Sequence, residues 1–201
     1  MLPLFALLHP PRHAMTLSIL HPDDPRFTQA HFEARVAALT ALAVIIHAVE
    51  AMLPGAGPLF KPGLANIVGL AALWLLGFRA ALLVTVLRIL IGSLILGTFM
   101  SPTFLLSASG GLAAMLAMGL MHRFGGRQGI FGPVGVSIVG AIAHICAQFS
   151  VAYLVLIQHM GLFYLLPLLL ATSLATGVLN GVIAHFMLTR LNLVSPPREA
   201  R

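Results

Sequence analysis

Six apolar runs, each close to the length needed to cross a bilayer's hydrocarbon core, dominate the chain and leave little choice of solvent. They fall at residues 36–53, 64–78, 80–99, 102–121, 132–157 and 163–189, with glycine, proline and charge clusters as punctuation. Only 8% of the 201 residues are charged and 59% are hydrophobic, so a water-soluble domain of this length would lack the charge to cover its surface. Backbone polar groups in lipid must bond within their own segment, and the runs are therefore predicted to be helices. The expected fold is all-α: a polytopic membrane bundle of six transmembrane helices over 33–190. It is flanked by a partly disordered or surface-lying tail, 1–32, and a short tail, 191–201. The second run is short, and the fifth and sixth are long enough to tilt or break.

Arginine placement orients the bundle, because Lys and Arg in short loops favour the cytoplasm. With the N-terminus inside, Arg12, Arg26, Arg35, Arg79, Arg123, Arg127, Arg190, Arg198 and Arg201 all fall on the inner side. Lys61 lies in an outer loop and Arg88 within a span, which accounts for all 11 basic residues. Both termini are expected in the cytoplasm. Topology and anionic inner-leaflet lipids explain the net charge of +6, and no nucleic-acid partner is implied. The single cysteine, Cys146, excludes an intrachain disulfide and reads as a small buried hydrophobe. The opening MLPLFALL lacks a basic flank, so a cleaved signal peptide is not expected; Met15 is an alternative start. His9, His13, His21 and His31 are irregularly spaced with no cysteine partner, which favours a plain tail over a metal site.

Ionisable groups inside a span cost about 2.5–3.5 kcal/mol each, so each needs an explanation. His47, Glu50, Arg88, His144 and His185 are such groups, joined by the amides Asn66, Gln148 and Asn180. Depth sorts them. Glu50 lies about 21 Å along an outward-running span at 1.5 Å per residue. Asn66 begins the returning span, and His144, Gln148 and Thr172 fall in the outer halves of spans five and six. Arg88 sits near mid-depth with a side chain long enough to reach toward Glu50. At 100° per residue His144 and Gln148 share a face with Ser137 and Ala141, while Thr172, Thr176 and Asn180 line a face of span six. Two readings stand for these stripes: they bond neighbouring helices, or they line a cavity. Asn180 and His185, deeper toward the cytoplasm, fit the first reading better, and Glu50 with Arg88 fits either an ion pair or a pocket.

The seam LPGAGPLFKPGLANIVG, Leu53 to Gly69, sets Lys61 and Asn66 among prolines and glycines between two apolar runs. Such a segment cannot be a regular helix in lipid. It is either an ordinary exterior turn with a solvated lysine or a fold over a partly wet cavity that Lys61 overhangs. In span one Ala37 and Ala41 make a small-residue step that lets another helix approach closely, on the side opposite Glu50.

Three stretches carry a resemblance to a known family. They are KPGLANIVGLAALWLLGFRAALLVTVLRILIGSLILG from Lys61 to Gly97, SASGGLAAMLAMGL from Ser107 to Leu120, and GVSIVGAIAHICAQ from Gly135 to Gln148. Together they resemble the small bacterial membrane proteins labelled heptaprenyl diphosphate synthase component I, also called the Gx transporter family. The likeness runs from about Val36 to His185, with Pro62 and Ile145 departing from the family's pattern. That family in turn looks like the substrate-binding S components of energy-coupling factor transporters, six-helix proteins that capture a micronutrient from outside. The resemblance implies a place in a bacterial inner membrane. It also implies docking through Ala37 and Ala41 on a T component driven by ATPase subunits.

The synthase label meets a chemical obstacle in the sequence. Prenyl elongation needs clustered acids to hold divalent ions against diphosphates. The chain offers Asp23-Asp24 without a third acid, and five Asp and Glu in all. No phosphate-binding loop or dinucleotide fingerprint occurs, no metal site or cofactor is expected, and the chain is not expected to be an enzyme. The leading expectation is a substrate-binding subunit for a small polar or anionic metabolite. In it Lys61 and Arg88 would meet negative charge, Glu50 would fix Arg88 or accept a donor, and Asn66, His144, Gln148 and Thr172 would complete the lining. The alternatives are a lipid-binding accessory subunit in isoprenoid or quinone metabolism, and a proton or ion carrier using Glu50 and the histidines.

Overall fold

The computed structural model describes residues 25–52, 63–126 and 131–191, and the regular elements among them are all helical. In chain order they are α1 (Pro25–Met52), α2 (Ala65–Leu76), α3 (Phe78–Ile95), α4 (Pro102–Met121), α5 (Pro133–Val151) and α6 (Leu166–Arg190). A π-helical turn, His122–Gly126, extends α4; another, Ala152–Ile157, extends α5; and a 3₁₀ segment, Met160–Leu165, leads into α6. Helix α1 begins inside the stretch expected to be tail. Residues Met1–Arg35 and Val36–Arg201 form two compact units. In the first, Gln29 donates to Glu33 one helical turn on, at 2.9 Å. The second holds the bundle.

Local chemistry explains the breaks. Gly77 alone separates α2 from α3, at φ +86°, and a Cβ there would meet open space, so the dihedral rather than crowding demands glycine. Ser101 caps α4 by accepting from the Phe104 amide at 3.3 Å, with Pro102 at the first helical position. The π turn after α5 ends at Gln158, φ +46°, and His159 Nδ1 accepts from the Gly161 amide at 3.0 Å before α6 starts.

The α5–α6 contact is the tightest seam. A Cβ on Gly177 would lie 2.8 Å from Ala141 Cβ, and one on Gly181 would lie 2.6 Å from Val134 Cα. Ser173 continues the same stripe, donating to the Ala141 carbonyl at 2.8 Å. Small residues four apart thus bring two backbones together where lipid supplies no hydrophobic drive. Buried side chains gather in two clusters. One, built on Leu70, Leu73, Ala81, Val84, Met115 and Met118, joins α2, α3 and α4. The other sets Phe149, Ile145 and Leu106 against Leu162 and Leu169.

The outer surface is apolar. Leu94, Ile95, Leu116, Leu120, Leu154 and Phe186 each expose more than half their area, far beyond what a soluble monomer tolerates as a contiguous patch. Five helices among the described residues are long and apolar enough to cross a membrane. The sixth, α2, has 12 residues, about 18 Å at 1.5 Å each. The protein is a multi-pass, all-helical membrane protein. One expectation is corrected: Cys146 is exposed, because α5 turns its neighbours Ile145 and Phe149 inward instead. Arg79, Arg123 and Arg190 begin or end α3, α4 and α6 at one end of the bundle.

Gly181→Ala should lower stability by about 1–3 kcal/mol, because the new methyl group meets backbone that has no rotamer to yield. Gly132→Ala, where a Cβ meets nothing within 4 Å, should leave it unchanged. Thermal unfolding in detergent, followed by size-exclusion survival, measures the difference.

Candidate ligand-binding hollow

At the end of the bundle remote from Arg79 and Arg123, α1 closes with Glu50, only 4% exposed. Its carboxylate accepts the Leu64 amide through Oε1 and the Ala65 amide through Oε2, at 3.4 Å. An acid from another helix therefore takes the place of an N-cap at the start of α2, where amides lack partners and the dipole favours negative charge. Gly63 turns the chain into α2 at φ +66°, and its carbonyl accepts from Asn180 Nδ2 on α6 at 3.1 Å. Asn66, the second residue of α2, faces His144 Nδ1 on α5 at 3.5 Å.

Glycines make the room for these groups. A Cβ on Gly110 of α4 would lie 2.8 Å from both His144 Nε2 and Gln148 Cγ. On Gly111 it would lie 2.9 Å from an Arg88 terminal nitrogen, and on Gly92 it would lie 2.9 Å from the His47 ring. The glycine pair in SASGG thus opens α4 on two sides, one for α5 and one for α3. Arg88 is 5% exposed and feels the Glu50 charge; among the described residues its guanidinium has no hydrogen bond. A planar group with five donors lies there in a desolvated position.

Two small hollows share this region. One, of about 30 Å³, is lined by Glu50, His144 and Gln148 together with His47, Thr103 and Ser107. The other, of about 210 Å³, shares His47, Thr103 and Ser107 and adds Ser93, Thr98 and Phe104. The first has room for a water or two; the second holds a small organic group with hydroxyls on its walls. Donors and acceptors of both kinds, one buried cation and one buried anion thus converge from α1, α2, α3, α4 and α5.

Of the residues singled out from the sequence, Glu50, His144 and Gln148 line the hollow, Asn66 touches it through His144, and Arg88 lies behind Gly111. Thr172 does not join them. It is exposed, and its hydroxyl donates to its own helix at Leu168 and Leu169, 3.0 Å each. Lys61 lies outside the described residues. Ala37 and Ala41 are exposed on α1, whereas Val36, Thr40, Ala43 and Glu50 turn inward. His185 is half-buried beside Phe186, away from the hollow. The sequence reading passed over the hydroxyl wall, Ser93, Thr98, Thr103 and Ser107, and did not place His47 in the site. Helical spacing carried the signal: His47 lies one turn before Glu50, and Thr103, Ser107 and Gly110 follow one face of α4.

Glu50→Ala should strip two amide partners, one of them at buried Ala65, and lower stability by about 1–3 kcal/mol. Glu50→Gln, which keeps one acceptor oxygen, should cost less. Thermal melts of the two variants in the same detergent provide the check.

A family model for heptaprenyl diphosphate synthase component I matches residues 39–187. No curated protein and no solved structure matches the chain. The matched region takes in α2 to α5 whole, the second half of α1 and most of α6, and with them every side chain placed around the hollow. On that coverage, this multi-pass membrane protein belongs to the heptaprenyl diphosphate synthase component I family.

Proposed function

We propose that the protein is a membrane-embedded substrate-binding subunit, similar to the S components of energy-coupling factor transporters, in a bacterial inner membrane. The observation that carries this reading is the gathering of Glu50, Asn66, Arg88, His144 and Gln148, from separate helices, around one hollow in an otherwise apolar bundle. Polar groups this costly are kept in membrane interiors where they serve a pathway or a ligand. The Arg-poor end faces outward by the positive-inside rule, so the hollow would receive its ligand from outside.

The ligand would be a small polar or anionic metabolite. Arg88 supplies a desolvated cation for its negative group, with Lys61 a second cation from the preceding loop. His47, Ser107 and Thr103 offer directional hydrogen bonds beside His144 and Gln148. Glu50 serves the site indirectly, by fixing the start of α2 that presents Asn66. The exposed Ala37–Ala41 face of α1 would dock on a T component, and ATPase subunits would supply the energy.

A second reading, a non-catalytic membrane subunit that works beside a prenyl diphosphate synthase, is favoured by the family's description as one component of such an enzyme. Both readings call for a partner chain. Co-purification separates them: ATPase and T-component chains support the first, a soluble prenyltransferase the second.

Gently purified protein should retain a small molecule visible by native mass spectrometry. Arg88→Gln should lower its occupancy about 10- to 100-fold, the worth of a charge-assisted hydrogen bond of about 1.5–3 kcal/mol. Lys61→Ala should weaken retention and cellular uptake while membrane insertion persists, and Thr172→Ala should change neither. Retention indifferent to both Arg88 and Lys61 would rule out the pocket.

A further inference from the structure

A second and larger cavity lies at the opposite, Arg-rich end. It measures about 1090 Å³ and is bounded by the last turn of α2, the Gly77 link, the start of α3 and the end of α4. None of its lining residues belongs to the hollow described above. Leucines form much of its wall, with Leu73 buried at the back and Leu116 and Leu120 at the side. Leu116 and Leu120 are 55% and 60% exposed on the bundle's outer surface, so the cavity opens sideways into the hydrocarbon rather than only to water. Phe78 forms another wall, its ring lying where a Cβ on Gly119 would come within 2.2 Å.

The polar side chains of the described lining are Trp74, His122 and Arg123. Trp74 and His122 pack ring to ring with centroids 4.4 Å apart, and Arg123 follows in the π-helical turn. Arg123 is exposed, and among the described residues it forms no hydrogen bond or ion pair and is the single formal charge in the lining. No acid among the described residues lines the cavity. Tryptophan and arginine at the end of spanning helices mark the level of lipid headgroups, and a planar guanidinium matches phosphate with paired donors.

We propose that this cavity is a lateral binding site for an anionic phospholipid of the surrounding leaflet. Its acyl chain lies along Leu116 and Leu120, and its phosphate meets Arg123 beside Trp74 and His122. Charge complementarity selects the occupant: a leucine-lined slot open to the bilayer, with one cation and no acid among the described residues at the headgroup level, fits a negatively charged amphiphile better than a zwitterionic one. The site stands apart from the proposed transport role and survives or fails independently of it.

Full-length protein in nanodiscs of equal phosphatidylglycerol and phosphatidylcholine, stripped stepwise by detergent, supplies the test, with native mass spectrometry reading the lipids that stay bound. The expected result is one phosphatidylglycerol retained about 5-fold over phosphatidylcholine, as befits one basic residue near a membrane surface. Arg123→Gln should bring the ratio near one and Arg123→Lys should keep most of it. Leu116→Trp, which fills the slot from an exposed position, should reduce retention of both lipids. Arg190→Gln, at the same end but outside the cavity, should leave the ratio unchanged. Equal retention of the two lipids by the unaltered protein, or a fall with Arg190→Gln as large as with Arg123→Gln, would overturn the proposal.

Discussion

Bulky polar side chains inside this bundle need space, and around the hollow that space comes from glycines. Hydrocarbon surroundings give an unpaired donor no water to turn to, and close helix packing leaves no room for a histidine or an arginine beside an ordinary Cβ. Gly92, Gly110 and Gly111 remove that Cβ opposite His47, His144 with Gln148, and Arg88. The polar hollow is therefore a set of notches cut into helix surfaces. Its geometry depends on which helix faces which, and the Gly177–Gly181 seam that holds α6 on α5 sets part of that arrangement.

Glu50 ties the notches to the chain's course. By accepting the first amides of α2 it joins the last turn of α1 to the first turn of a helix too short to cross the membrane by itself. Asn180 adds a hold from α6 through the Gly63 carbonyl. Asn66 is thereby delivered to His144, and the polar array around the hollow inherits its rigidity from hydrogen bonds made behind it. A carboxylate buried in this way acts as a structural clamp first and as part of the hollow's wall second.

Much of the architecture was legible in the sequence. Apolar length, punctuated by glycine, proline and charge clusters, located the six helices, because it reports directly on the solvent. The start of the first was not, since Pro25–Phe32 lacks the hydrophobicity that marks a span yet is helical from Pro25. Within the site, Glu50, Asn66, His144 and Gln148 stood out because charge and amide groups are rare in lipid. Thr172 was a false lead, for a threonine hydroxyl in a helix can satisfy itself on a carbonyl one turn back. Thr103 and Ser107 went unnoticed for the converse reason: small hydroxyls are common in membrane helices, and their shared face with Gly110 gains meaning only beside His47. The larger cavity was invisible, as leucines around a tryptophan look alike whether they enclose a space or fill one.

The hydroxyls of Thr103 and Ser107 occupy the first two turns of α4, ahead of the glycine pair that admits His144 and Arg88. The chemistry of the hollow's wall and the spacing of the helices are consequently written at neighbouring but separate positions of one helix. Descendants of such a gene are free to exchange alcohol, amide or methyl groups at the former while inheriting the latter intact, so the character of the hollow is able to change without the scaffold relearning how to assemble.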